Sequence, residues 1–172
     1  MDYGNQDNRD NRGQHGRHEA PLAPKPVTID GFYTADKKIK PDLFDKTARE
    51  IGESFYFYIK DFKIGVSITQ LRRLFDEVKR YDQILEVSPD QWEAQLPYIR
   101  MIKSKVSYTV AKAIKQKLSD KETPEKKVYK NLASFIIQGI DLVKELKDYH
   151  VFVSLFEAVY GFYYEKAPKS RD

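Results

Sequence analysis

The sequence predicts an all-α protein, a single five-helix bundle that follows a disordered N-terminal tail. Apolar residues recur at helical spacing in five successive segments beyond Pro41. Helix-start signals precede these segments, for example Ser67 with Gln70 three residues later. No alternating strand segments flank a hairpin turn, because the Asp30-Gly31 pair lies ahead of the helical segments. These observations favour helices packed on helices.

Composition divides the chain into three parts. Residues 1–40 are predicted to be a disordered tail and linker, because residues 1–26 have too few apolar side chains to offset the entropy lost on ordering. Within this part, residues 27–40 carry a few large apolar side chains, and we expect them to dock on the domain as an extended strap. The remaining parts are a predicted helical bundle at residues 41–167 and a predicted C-terminal tail at residues 168–172.

Each predicted helix has a start signal and one apolar face. The first begins at Pro41, a residue that suits a first helical turn, and runs to Gly65 through apolar residues from Phe44 to Phe62. Pro97 lies a few residues inside the third helix, where we expect a kink or a restart. The other four helices are predicted to begin at Ser67, Ser88, Thr123 and about Asp148, and the last to end at Lys166.

Most enzyme classes are excluded by residues that the sequence lacks. It contains no cysteine, no phosphate-binding glycine loop, no zinc-protease helix motif and no nucleophile-elbow motif. We therefore predict no catalytic site, no metal site and no cofactor, and we expect the lone His150 to be a surface or capping residue. No long apolar run is present, so we expect no membrane partner. The lack of cysteine fits a reducing compartment, and we predict a cytoplasmic protein.

The third predicted helix differs from the rest of the chain because it contains a long stretch with basic residues and no acidic ones. No acidic residue occurs between Ala94 and Ser119. Five residues recur there at intervals of three or four positions: Met101, Lys105, Tyr108, Lys112 and Lys115. This spacing places them on one helix face, where ammonium groups can displace counterions from phosphates and a tyrosine ring can stack on a base. We interpret the stripe as an RNA-binding face, with a merely solvated face as the alternative.

The second predicted helix carries two pairs of cations. Arg72 and Lys79 are seven residues apart, as are Arg73 and Arg80, so each pair points to one side of the helix. The planar guanidinium of arginine can bind two phosphate oxygens at once, which favours RNA contact. Asp76 and Glu77 lie between these cations in the sequence, so a surface of intrahelical ion pairs is the alternative. Lys103 adjoins the apolar face of the third helix, so it must reach solvent, pair with an acid or bind a ligand.

Three segments taken together resemble a known family. They are residues 68–75 (ITQLRRLF), 102–112 (IKSKVSYTVAK) and 156–163 (FEAVYGFY). In order and spacing they are similar to motifs of the small helical subunit of type III-A (Csm) CRISPR interference complexes. The resemblance covers about residues 42–166.

The resemblance implies a non-catalytic five-helix subunit. Several copies would stack along the duplex of crRNA and target RNA, beside copies of themselves and the other subunits of the Csm complex. They would contact the RNA backbone through basic residues without sequence specificity, so that residues 41–167 form an RNA-binding domain. By motif, the implied RNA contacts are Arg72, Arg73, Lys103 and Lys112. The charge pattern adds Lys105, Lys79 and Arg80.

Two other functions are compatible with the sequence. A helical scaffold protein would dock neighbouring subunits through apolar faces with no direct RNA contact, and the aromatic run from Tyr160 to Tyr164 favours it. A small enzyme could use the carboxylates of Glu50, Glu53 and Asp76, but no histidine or nucleophile supports them. RNA binding by a basic stripe weakens steeply with salt whereas apolar docking does not, so salt dependence separates the first two functions.

Overall fold

The computed structural model describes residues 24–60, 62–117 and 123–168, with residues 116 and 117 described by their backbone alone. The predicted disordered tail lies outside the described residues as far as residue 23. The predicted C-terminal tail lies outside them from residue 169 onward.

Five α-helices and one short hairpin make up the regular structure of the described residues. The helices are α1 (Ala48–Glu53), α2 (Ile68–Val87), α3 (Trp92–Lys117), α4 (Pro124–Leu142) and α5 (Leu146–Lys166). The hairpin consists of β1 (Tyr56–Ile59) and β2 (Phe62–Gly65). A π-helical turn at Leu43–Thr47 precedes α1, and a 3₁₀ turn at Pro89–Gln91 precedes α3. The predicted all-α, five-helix architecture is confirmed, with the hairpin as an addition.

The prediction of one helix from Pro41 to Gly65 is wrong in its second half. There the chain forms the hairpin, in which β1 and β2 are antiparallel, with Tyr56 opposite Gly65 and Ile59 opposite Phe62. The aromatic and β-branched residues of this segment prefer extended backbone, and this preference prevails over the helical spacing. Only the short helix α1 and its π-helical turn remain of the predicted element.

Side-chain alternation stabilises the hairpin. Phe57 is buried in the core, whereas its neighbour Tyr58 is exposed, as expected for a strand with one covered face. On the other face, the Lys63 ammonium lies 5.0 Å from the ring centroid of Tyr56 and 5.1 Å from that of Tyr58. Lys60 adopts the left-handed conformation at the turn, with φ of 52°.

Pro97 does not interrupt α3, so the predicted restart is wrong. The helix is continuous from Trp92 to Lys117. Pro97 lies near its start, so the missing N–H removes one hydrogen bond, to Glu93, in a turn that is exposed to solvent. The cations of α3 therefore share one uninterrupted helical frame.

A cluster of aromatic side chains forms the centre of the bundle. The ring of Phe135 in α4 lies 5.1 Å from Phe156 and 5.9 Å from Phe152, both in α5, and 6.0 Å from Phe55 after α1. Phe75 of α2 lies 5.4 Å from Phe156. These contacts hold α2, α4 and α5 together and thereby determine which faces of α2 point outward.

An extended segment ahead of α1 docks against α4. The Ile29 N–H donates to Gln138 Oε1 at 2.9 Å, and Gln138 Nε2 donates to the Val27 carbonyl at 3.0 Å. Val27, Ile29 and Phe32 are buried in the same core as the helices. We call residues 27–33 the strap, and its side chains contribute to the folded unit.

Candidate nucleic-acid interface

The predicted RNA-binding cations of α3 point in two directions around the helix. Ile102 and Val106 face the core. Lys103 and Lys105 are two positions apart, so their side chains diverge by about 160° around the axis. Lys103 turns toward α4 and Lys105 toward α2, as their ion-pair partners show. Lys112 lies two turns beyond Lys105 and is exposed, close to the same direction.

Glu77 of α2 forms ion pairs with two of the predicted RNA-contacting residues, Lys105 and Arg80. Its carboxylate accepts from Lys105 Nζ at 2.6 Å and from Arg80 at 2.9 Å. The hydrogen bond from Lys105 is the main cause that lowers the pKa of Glu77, and the charge of Arg80 adds to it against the effect of burial. The cluster therefore joins α2 to α3 and keeps a net positive charge, because two cations share one carboxylate.

Arg73 and Lys112 extend this cluster in the same direction. The short turn between α2 and α3 makes the two helices antiparallel. Because Lys105 and Glu77 form an ion pair, these two residues lie at the same height along the two helices. Arg73 precedes Glu77 by one turn and Lys112 follows Lys105 by two, so both lie toward the same end of the helix pair. Within the described ranges, neither has a carboxylate partner.

One surface thus collects four of the seven predicted contacts together with an exposed aromatic ring. Tyr108 lies between Lys105 and Lys112 in the helical order and is exposed. We call this surface the basic face, and its members are Arg73, Arg80, Lys105, Tyr108 and Lys112.

The other pair of cations on α2, Arg72 and Lys79, lies on the side of the helix that faces α5. We call this side the α5 edge. Arg72 is 3.8 Å from Asp76, and both side chains are largely exposed. Lys79 Nζ donates to the buried Asp82 at 2.9 Å. That hydrogen bond is the first cause of the raised pKa of Lys79, and Glu157 on α5 also contributes. This edge has at least as many carboxylates as cations, so it offers a polyanion little net attraction.

Lys103 occupies a third position, between α3 and α4. Its ammonium donates to Asp141 at 2.6 Å, and both side chains are partly exposed. The structure therefore pairs Lys103 with Asp141, which is one of the outcomes expected for a lysine beside an apolar face. The seven predicted contacts do not form one site: Lys103 lies apart, and Arg72 with Lys79 lies on the α5 edge.

Sequence reasoning missed the tertiary partners of these cations. Asp82 is buried, and besides Lys79 it meets His150, whose Nδ1 lies 2.7 Å from its Oδ1. His150 is thus the α5 partner of a buried carboxylate rather than a plain surface or capping residue. A signal was present, because Asp82 lies among Val78 and Leu85 on the apolar face of α2, and a buried charge requires partners.

The aromatic run of α5 divides among several environments. Tyr163 is fully buried, and Arg49 lies 4.3 Å above the ring of Phe162. Tyr160 stacks on Phe75 of α2 at 5.4 Å, and Tyr164 is exposed. A shallow groove of about 390 Å³ opens at this edge, lined by Arg72, Phe75, Asp76, Tyr160 and Tyr164.

The residues that the structure describes contain neither a metal-binding cluster nor a membrane-spanning helix. No group of three or more histidine, aspartate or glutamate side chains is arranged to hold a metal ion. No helix in those residues is both long and apolar enough to cross a bilayer.

A comparison with models of protein families identifies the family of this chain. A family model described as Csm2 Type III-A matches residues 38–168. No curated protein and no solved structure matches the sequence or the fold.

Proposed function

Because this chain belongs to the Csm2 Type III-A family, and is thus a small subunit of the type III-A Csm complex, we propose that it binds RNA phosphates through the basic face. The RNA partners would be crRNA and target RNA, along which several copies of the chain stack beside other Csm subunits. One observation supports the choice of face. Four cations from two helices lie there beside a single carboxylate, Glu77, which pairs with only two of them, whereas the α5 edge is balanced in charge.

Counterion release makes the basic face suited to this role. Each ammonium or guanidinium that reaches a phosphate frees condensed counterions, and this gain does not depend on base sequence. Arg73 and Lys112 are available without the loss of an ion pair within the described part of the chain. Their positions on helices hold them at set distances from Lys105, which favours a regular backbone over a particular base.

The Glu77 ion pairs do not prevent RNA contact. Lys105 is 40% exposed in its pair with Glu77, and exposed ion pairs contribute only about 0.2–1 kcal/mol each. A phosphate can therefore share or replace the carboxylate at low cost. Until then, Glu77 holds the Lys105 and Arg80 side chains in place and so reduces the entropy lost on binding.

We assign this subunit a non-catalytic part in a cytoplasmic ribonucleoprotein complex. The basic face contains cations, one carboxylate and one phenol, and it lacks a histidine or a second carboxylate, the usual partners in general acid–base cleavage of RNA. Its contribution is to hold RNA and neighbouring subunits in register. Arg72, Lys79 and Lys103 lie on other edges, so we expect smaller RNA contributions from them.

Two double variants of equal charge test this proposal. Arg73→Gln with Lys112→Gln alters the basic face, and Arg72→Gln with Lys79→Gln alters the α5 edge. In fluorescence-anisotropy titrations of single-stranded RNA at several salt concentrations, we expect the first variant to weaken binding of all sequences alike. The slope of log affinity against log salt should fall by about 0.7 for each lost contact. The second variant should retain most of the affinity and slope.

Equal losses in the two double variants would show that only the overall charge matters. An unchanged slope in the basic-face variant would contradict the proposal.

A scaffold role without RNA contact is the second candidate. The groove with the stacked Phe75–Tyr160 pair and the exposed Tyr164 favours it, because aromatic side chains are enriched at protein interfaces. Docking of that kind depends weakly on salt. Assembly of the complex that withstands high salt, together with no measurable RNA binding by the subunit, would favour this candidate.

A further inference from the structure

Tyr108 differs in its surroundings from the tyrosines in the core of the bundle. Tyr149 and Tyr163 are buried, and each hydroxyl donates to a backbone carbonyl. Tyr108 is 69% exposed, and across residues 24–60, 62–117 and 123–168 its ring stacks on no other aromatic ring. An exposed ring that contributes nothing to the core is available for an external partner.

The neighbours of Tyr108 are cations on both sides along α3. Lys105 lies one turn before it and Lys112 one turn after it, so the backbone positions of the two lysines are separated by about 10 Å along the axis. Arg73 of α2 lies toward the same end of the face. The arrangement places positive charge on either side of an aromatic surface, which complements a nucleotide whose base is flanked by phosphates.

We propose that Tyr108 is a stacking surface for an unpaired nucleobase, so that the basic face prefers RNA with accessible bases to a continuous duplex. This inference rests on the proposed function, since the lysines must first hold the phosphates. Stacking on tyrosine tolerates any base, because every base has a π-face, and it adds affinity without sequence specificity. A continuous duplex keeps its bases stacked inside and gains only the phosphate contacts.

A protein partner fits this face less well. Stable protein interfaces have an apolar centre with charged residues at the rim. Here cations occupy the centre, and the large exposed apolar side chains along the same side of α3 are Tyr98, Met101 and Tyr108. The charge therefore favours RNA as the occupant.

Tyr164 provides a matched control for Tyr108. It is 64% exposed, also on a helix surface, but it lines the groove beside Asp76 and Arg72 on the charge-balanced edge. Tyr108→Leu and Tyr164→Leu remove the same ring from surfaces that differ in charge. Tyr108→Phe retains the ring without the hydroxyl.

The experiment compares two ligands of equal charge, an oligoadenylate RNA and a ribose-phosphate chain of the same length without bases. The full-length chain should bind the oligoadenylate more tightly. Tyr108→Leu should weaken oligoadenylate binding roughly tenfold and leave binding of the base-free chain and the salt slope unchanged. Tyr108→Phe should retain the affinity, as should Tyr164→Leu. Binding to a duplex of the same length should not respond to Tyr108→Leu.

The outcomes separate this inference from the proposed function. Equal loss for both ligands in Tyr108→Leu, or no loss, would overturn the stacking inference while salt-dependent RNA binding persists. Loss of assembly with other copies or subunits, with RNA binding unchanged, would overturn it in favour of a protein contact at this face. Absence of salt-dependent RNA binding in the unaltered chain would instead contradict the proposed function.

Discussion

At the scale of single residues, Glu77 controls how much positive charge the basic face presents. It is only 25% exposed and accepts from Lys105 and Arg80, so part of their charge is balanced before any ligand arrives. Glu77→Gln would keep an acceptor of similar shape and remove the charge. Glu50, which is exposed on α1 away from this face, allows the same substitution as a control.

We expect Glu77→Gln to strengthen RNA binding and to steepen its salt dependence, because Lys105 and Arg80 then meet phosphates without a competing carboxylate. Glu50→Gln changes net charge equally and should have a much smaller effect. Anisotropy titrations over a range of salt measure both quantities. Weaker RNA binding in Glu77→Gln would mean that positioning by Glu77 outweighs its charge.

The same residue predicts a pH dependence of stability. The pKa of Glu77 is lowered by Lys105 in the folded state, so the ionised carboxylate stabilises the fold above the ordinary glutamate pKa. That contribution is lost as the pH falls through the lowered pKa. The difference in unfolding free energy between the unaltered chain and Glu77→Gln should be greatest at neutral pH and vanish in acid. We expect it to be at most about 1 kcal/mol, because the partners Lys105 and Arg80 are 40% and 56% exposed. Urea titrations at several pH values measure it.

The residue types of the site could be predicted from sequence, but their grouping could not. Helical spacing correctly paired Arg72 with Lys79 and Arg73 with Arg80, since that follows from the helix repeat alone. Which pair faces α3 depends on the tertiary packing of α2. The partners Asp141 and Glu77 come from other helices, and no local pattern links them to Lys103 or Lys105.

At the scale of elements, the long amphipathic helices were predictable and the hairpin was not. The helices α2 to α5 are about five to seven turns long, so chance agreement of their apolar positions with helical spacing is small. Phe55, Tyr58 and Phe62 also fit helical spacing, but the segment is short and rich in residues that favour strands. Only the docking of Phe57 in the core resolves the ambiguity, and that is a tertiary contact.

The contact between α4 and α5 yields a prediction about glycine. A Cβ at Gly139 of α4 would overlap the ring of Phe152, which is fully buried, so Gly139→Ala requires the ring to move within a packed core. We expect a loss of about 1–3 kcal/mol in unfolding free energy. Gly161 of α5 has open space at the same position, and Gly161→Ala should be neutral or stabilise by up to about 1 kcal/mol. Urea denaturation tests both, and equal effects would contradict the steric argument.

At the scale of the whole molecule, the folded unit begins before the region that the family model covers. The match starts at residue 38, whereas the strap at residues 27–33 is already buried against the helices. Tyr33 adds a hydrogen bond to Asp148 at 2.8 Å, and burial together with that bond raises the pKa of Tyr33 to about 12. The sequence predicted a linker whose few large apolar side chains dock on the domain, and the structure shows that residues 27–33 dock against α4.

The strap should behave as one cooperative unit when its contacts are removed. Phe32 is 2% exposed, and Phe32→Ala in a fixed core site would cost about 3–5 kcal/mol. The strap can instead detach, so the cost cannot exceed the free energy with which it docks. Gln138→Ala, which removes both hydrogen bonds to the strap backbone, weakens the same docking. Once either substitution has released the strap, the second substitution causes little further loss of unfolding free energy.

We therefore expect the double variant to lose less unfolding free energy than the two single losses combined, by at least about 0.5 kcal/mol. Phe62→Ala on the hairpin, where the ring is 62% exposed, should stay within about 0.5 kcal/mol of the unaltered chain. Guanidinium unfolding of the four variants measures all of these quantities. Strict additivity would mean that the strap stays docked in each single variant, and a Phe32→Ala loss no larger than that of Phe62→Ala would mean that the strap contributes little to the fold.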